Sequence, residues 1–129
     1  MLLDGALVPI WDGVAVCAGQ EVTAAVRVAA LSRLVPRRGV VGRAAAAWVH
    51  VGGPRPDKVD VVVPPGVRRT DPHPRRRAAE GPLPEGDVLD LGTGRVTTVQ
   101  RTGMDVARFA VREAGVDVAA MTDQRQMLV

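Results

Sequence analysis

Residues 68–77, RRTDPHPRRR, hold the densest set of groups able to do chemistry in this chain, five arginines against one aspartate. Arg68, Arg69, Arg75, Arg76 and Arg77, stiffened by Pro72 and Pro74, can present a cationic rim to phosphates, which gives salt-dependent, sequence-tolerant binding. They can equally meet an acidic partner, and a solvated loop is the plain alternative, because charge runs are commonly just exposed. The formal net charge is +3 and this segment carries +4, so the rest of the chain is close to neutral. With no Tyr and one Phe there is no stacking platform for single-stranded nucleic acid. Other chemistry is thinly represented. His50 and His73 are the two histidines, and a zinc site around them would need carboxylates placed by the fold, since thiolate support is lacking. His50 is expected at a helix end, bonding the last carbonyls. The single Cys17 sits in a glycine-rich arm and reads as a free thiol rather than a nucleophile. No Ser/His/Asp set is evident. The expectation is therefore no catalytic residue, no cofactor and no metal.

One glycine-rich segment needs separate weighing. Asp87–Val96, DVLDLGTGRV, is similar to the first motif of S-adenosylmethionine-binding methyltransferases, in which close-set glycines let the backbone reach the cofactor. The third glycine position is Val96, however, and only 33 residues follow it, too few for the further βα units of a doubly wound fold. A plain hairpin turn is the preferred reading, with a small methyltransferase-like enzyme kept as the outlying alternative.

The elements that must position these groups centre on Gly42–Pro65. Ala44–Ala47 are strong helix formers, Trp48 is a large anchor, and Gly52–Gly53 can stop the helix in a left-handed conformation. Val59–Val63 is the clearest strand; its near-continuous valine, broken by Asp60, implies burial on both faces and a central position. The periodicity predicts further helices over 20–35, ended by Pro36, and over 98–111. In the last, Thr97 and Gln100 fit a capping box. There Val99, Gly103, Val106 and Ala110 are read as the core face and Arg101, Asp105, Arg108 and Arg112 as the opposite stripe. Residues 75–80 are expected as an edge strand, and 88–91 with 95–99 as a hairpin. Basic residues around Pro36–Gly42 invite a helix-turn-helix reading, but a seven-residue joint is too long and AAAAWVH carries no base-reading side chains.

With 129 residues the chain fits a single domain. Its aromatic residues are Trp11, Trp48 and Phe109, and its apolar share is mostly Ala and Val, so the core must be assembled from small contacts. No run of about 18 apolar residues occurs, and the start MLLDGALVPIWDG lacks a basic n-region, so a cytoplasmic protein without a membrane partner is expected. The expected fold is α+β: a small mixed sheet of three to five strands with three or four packed helices. Residues 1–19 are read as a loose arm that can pair as a minor strand, 20–112 as the domain, and 113–129 as a helical or frayed tail.

Three blocks, in order, resemble the C-terminal domain of the AbiEi-family antitoxins of type IV toxin-antitoxin systems. They are VGRAAAAWVHVGG (41–53), DKVDVVVPPGVRR (57–69) and GRVTTVQRTGMDVAR (94–108). The residues that carry the match are Trp48, His50, Asp60, Thr97, Thr98, Arg101, Thr102 and Asp105. The chain departs from the family pattern in having Ala45 where the family has Thr, in placing Val51 between His50 and the glycines, and in front, where 1–35 are too short for a winged helix. The resemblance implies a non-enzymatic antitoxin-like or transcriptional regulatory protein that counteracts a nucleotidyltransferase toxin, with promoter DNA as a second implied partner. The alternative is a nucleic-acid-binding regulator acting through the 68–77 loop.

Overall fold

A computed structural model of the chain describes residues 6–67 and 70–113. Among them are three α-helices and two sheets in one α+β domain, in the order β1 (Leu7–Trp11), β2 (Val14–Cys17), α1 (Ala24–Ala30), β3 (Val40–Val41), α2 (Arg43–Val51), β4 (Val59–Val63), β5 (Arg76–Glu80), β6 (Val88–Asp90), β7 (Arg95–Thr97) and α3 (Val99–Glu113). The tail expected at 113–129 and the arginines Arg68 and Arg69 lie outside the described residues, apart from Glu113 at the end of α3.

The main sheet runs β5-β4-β3-β7-β6. β4 is parallel to β5, with Val59 level with Arg76 and Val63 with Glu80, and antiparallel to β3, with Val41 opposite Val61. β3 continues the sheet parallel to β7 through Val41 and Val96, and β6 and β7 close it as an antiparallel hairpin. All five residues of β4 are buried, as its valine run requires. β4 is nevertheless one place from the sheet's centre, which belongs to β3. Two residues are too few to show alternation, so β3 is defined by its neighbours and reads from the sequence as part of a turn. It also removes the helix-turn-helix reading, because a strand separates α1 from α2.

Side chains alternate across a strand. Val59, Val61 and Val63 join one core with Val41, Val96, Val28, Leu31, Ala45, Ala46, Trp48 and Val49. Val62 faces the other way and borders a cleft that α3 also lines. Gly42 lets α2 start close to β4: a Cβ there would lie 2.9 Å from Val62 Cγ2. α2 stops at Gly52, whose φ is +76°, as its sequence predicts.

Three expectations are corrected. The N-terminal segment pairs as the minor sheet expected of it, but it is docked on the domain rather than loose. β1 and β2 pair antiparallel around Asp12–Gly13, a dipeptide suited to such turns, with Gly13 at φ +74°. Ile10 and Trp11 are buried, and the Trp11 ring lies 6.1 Å from that of Trp48. The helix expected over 20–35 is shorter. Thr23 caps it by accepting from Val26 N at 3.3 Å, and beyond Ala30 the chain tightens into a 3₁₀ turn at Ser32–Leu34.

The third correction concerns α3. Its cap is Thr98, whose hydroxyl accepts from Arg101 N, while Thr97 is the last residue of β7. The helix is also turned opposite to the expected way: Thr102 is buried and the side chains of Arg101 and Asp105 are each 12% exposed. Val99, Met104 and Val106 are exposed, and a Cβ on Gly103 would meet nothing within 4 Å. Spacing tells which residues share a face; it does not tell which face a neighbour covers.

Candidate functional site

The motif residues of the first and third blocks meet at the end of β7. The Thr97 carbonyl accepts from His50 Nε2 at 2.7 Å, which places the His50 proton on Nε2 because a carbonyl cannot donate. Thr102 Oγ1 donates to the same carbonyl at 3.2 Å. Thr97 Oγ1 then donates to Thr102 Oγ1 at 2.6 Å, the direction left once the Thr102 proton is used. Both hydroxyls are buried, so α2, β7 and α3 are joined by a short satisfied chain. His50 is thus a helix-end donor to a strand carbonyl rather than to its own helix.

Arg101 makes the second junction. Its Nε donates to Asp105 Oδ2 at 2.9 Å, and its Nη1 reaches Asp87 Oδ2 at 3.0 Å and the Pro82 carbonyl at 2.8 Å. Asp87 in turn offers its carbonyl to Thr98 N. Residues 82–87 are therefore clamped to the first turn of α3, and of the stripe read as opposite the core Arg101 and Asp105 are turned inward while Arg108 and Arg112 stay exposed.

Asp60, from the second block, is buried on β4 beside Arg77 on β5, with Arg77 Nε 3.6 Å from Oδ1. That is an ion pair without a hydrogen bond, and Oδ1 has no hydrogen-bond partner. Burial raises the Asp60 pKa above its ordinary value of 3.8, and the nearby charges of Arg77 and then Arg43 oppose the rise. Both arginines also sit against one aromatic ring: Arg43 Cζ is 5.7 Å and Arg77 Cζ 5.4 Å from the centroid of Phe109, within cation–π range. Arg43 holds φ +51°, the left-handed conformation, at the first position of α2. Beside it a cleft of about 160 Å³ is lined by Arg43, Arg101, Arg108 and Arg112 with Glu80 and Asp105.

The arginines of the 75–77 run are dispersed. Arg75 pairs with Asp12 Oδ2 at 2.6 Å and lies over Trp11, 5.3 Å from its ring centroid. Arg76 donates to the carbonyls of Leu34 and Asp71, bracing the loop before β5. Arg77 turns to Asp60 and Phe109. Each guanidinium has its own partner, so these three do not form one rim. Among the described residues no three His, Cys, Asp or Glu side chains come together as metal ligands.

The glycine-rich segment is an antiparallel hairpin and not the strand, turn and helix that cofactor binding needs. Gly92, at φ +82°, donates to Asp90 Oδ1 at 2.8 Å, and the turn packs on α1 through Thr93 Oγ1, which donates to the Ala25 carbonyl. Cys17 is exposed. Among the described residues no helix is long and apolar enough to cross a membrane.

Sequence reasoning passed over Arg43 and Phe109. The available signals were weak: an arginine directly after the helix-starting glycine, and the lone Phe next to Arg108 on a helix whose orientation the spacing does not give. No protein-family model matches the chain, and no curated protein or solved structure matches it either.

Proposed function

We propose that this chain is an AbiEi-type, antitoxin-like regulatory domain that acts by surface contact and not by chemistry, counteracting a nucleotidyltransferase toxin. The observation that carries the reading is the convergence of the blocks on which the resemblance rests. His50 of the first block and Thr97, Thr98 and Thr102 of the third form one hydrogen-bonded unit, while Asp60 of the second lies on β4, whose carbonyl receives Gly42 N of the first. Matching residues far apart in sequence and joined in space are what a shared framework requires; unrelated coincidences would scatter. In this reading these residues hold the fold, and the partner meets the surface around them. The test is to look beside its gene for one encoding a nucleotidyltransferase, whose absence would count against the proposal, and to co-express the full chain with that enzyme. Restored growth of cells otherwise arrested by that enzyme is expected; continued arrest with the folded chain present would overturn the proposal.

A second reading, a nucleic-acid-binding regulator, draws on one observation. Arg43, Arg77, Arg108 and Arg112 gather around Phe109 and the adjoining cleft, a better phosphate-facing surface than the dispersed run at 75–77. A gel-shift series with Arg43, Arg108 and Arg112 replaced by Ala tests it. Binding to duplex DNA should weaken and its salt dependence flatten; unchanged affinity at every salt concentration removes this surface from consideration.

A further inference from the structure

The cleft that α3 shares with β4 and β5 gathers more positive charge than its own carboxylates can answer. Arg43, Arg101, Arg108 and Arg112 line it, against Glu80 and Asp105. Asp105 is already taken, since it accepts from Arg101 Nε at 2.9 Å, and Arg101 spends its Nη1 on Asp87 and the Pro82 carbonyl. Among the described residues Arg43, Arg108 and Arg112 make no ion pair. A guanidinium does not lose its proton in a protein, so titration cannot relieve the repulsion that such crowding brings. The balancing charge has to come from solution. In this the cleft differs from the run at 75–77, where each arginine has a partner of its own.

Arg43 is held in place for such a contact. Its Cζ lies 5.7 Å from the centroid of Phe109, and a guanidinium that packs by its π-face keeps its in-plane N–H donors for another partner. Its backbone sits at φ +51°, a conformation disfavoured for any residue with a Cβ, and outliers of this kind collect at ligand-binding positions.

We propose that the cleft binds one phosphoryl dianion, supplied as orthophosphate or as the terminal group of a phosphate monoester. Charge separates this ligand from a diester: four guanidinia against two carboxylates leave two positive charges unanswered. A monoester carries about −1.5 to −2 at pH 7, whereas each diester of a nucleic-acid backbone carries about −1. Size sets how much of the ligand enters. The cleft holds about 160 Å³, the liquid volume of roughly five waters and below the about 300 Å³ at which pockets for whole small molecules begin. One tetrahedral oxyanion with part of its hydration fits, and any organic body stays at the rim. Arginine forks match the oxygens of such a group two at a time. The inference shares its arginines with the second reading above and rests on their facing phosphate, but it asks for a doubly charged terminal group in place of a duplex backbone.

Isothermal titration calorimetry of the full chain at low ionic strength, with orthophosphate, methyl phosphate and dimethyl phosphate as probes, tests it. Saturable binding of one equivalent of orthophosphate or methyl phosphate is expected, with dimethyl phosphate at least about ten-fold weaker because it offers about half the charge. Orthophosphate binding at least as tightly as methyl phosphate assigns the free ion as ligand; tighter methyl phosphate assigns a monoester whose body lies at the rim. Arg43→Gln and Arg108→Gln should each weaken binding about ten-fold. Arg37→Gln removes the same charge from an exposed position outside the cleft and should leave binding unchanged. Absence of saturable binding, equal binding of dimethyl phosphate, or equal losses in all three variants overturns the proposal, the last by showing a diffuse response to net charge. Duplex DNA that binds through Arg43 and Arg108 in a chain that takes no monoester would overturn this inference alone and leave the second reading standing. Far-ultraviolet circular dichroism checks each variant, and should Arg43→Gln fail to fold, Arg108→Gln, at an exposed position, decides.

Discussion

Asp60 is the residue whose surroundings least suit its charge. Its carboxylate is buried, lacks a donor on Oδ1 and faces Arg77 at 3.6 Å, and the net effect of burial over attraction is a raised pKa. The folded protein therefore holds the Asp60 proton more tightly than the unfolded chain does. Between 3.8 and the raised value the native state binds more protons, so stability from this group is greatest below 3.8 and falls as pH rises through that window. Asp60→Asn removes the ionisation. Its thermal midpoint should be at or above that of wild type at pH 7, with the gap closing as both are titrated to about pH 4. A wild type that is the more stable at pH 7 and loses its lead on acidification would show that attraction to Arg77 and Arg43 wins over burial. The Thr97–Thr102 pair has the opposite character, being buried and satisfied. Thr102→Val strands the Thr97 hydroxyl and should cost about 1–3 kcal/mol in urea unfolding, whereas Thr97→Val leaves Thr102 Oγ1 its bond to the Thr97 carbonyl and should cost less. The double variant strands fewer, so its cost should fall about 1 kcal/mol short of the sum.

At the scale of elements, what the sequence made legible depended on whether an element's cause is local. α2 announces itself because its alanines, its tryptophan and its glycine stop lie within one segment, and β4 because five β-branched or flanking positions in a row have few other uses. The strand at Arg76–Glu80 and the 88–97 hairpin follow from proline and glycine punctuation in the same way. β3 was hidden because its two valines become a strand only when β4 and β7 arrive on either side. The pairing at 7–17 was legible in its two apolar runs, but its glycines and proline read as looseness and hid its docking. Asp12–Gly13 between two apolar runs was the usable signal, and the cause of its docking, contact with Trp48, lies far along the chain. Trp11→Ala measures the difference. A loose arm would tolerate it within about 0.5 kcal/mol, whereas a ring buried against Trp48 should cost about 3–5 kcal/mol in chemical denaturation. The candidate site divides along the same line: His50, Thr97 and Thr102, singled out from the sequence blocks, are found hydrogen-bonded while Asp60 stands apart beside Arg77, and the Arg43–Phe109–Arg77 grouping depended on the orientation of α3, which no local pattern states.

For the molecule as a whole, the orientation of α3 decides which surface is core and which is open, and Arg101 is the contact that holds it. Turning α3 so that Val99 and Val106 went inward would bury more apolar area, yet the observed arrangement keeps the Arg101 links to Asp105, Asp87 and the Pro82 carbonyl, along with the hydroxyl chain from Thr97. The Arg101–Asp105 pair lies within the helix and survives any rotation, but the links to Asp87, Pro82 and Thr97 need this orientation, and leaving a buried charge without its partner costs about 3–5 kcal/mol. Arg101→Met retains much of the packing volume and removes the charge, which strands Asp105 at 12% exposure. Its unfolding free energy should fall by about 3 kcal/mol, and the loss should persist between low and 0.5 M salt, because a pair so far out of water is little screened. Arg101→Lys keeps the charge but cannot span three acceptors in one plane, so it should recover only part of the loss. A cost below about 1 kcal/mol for Arg101→Met, or one that disappears in salt, would mean that the ion pairs follow the helix orientation rather than set it. The exposure of Val99 and Val106 would then need another cause.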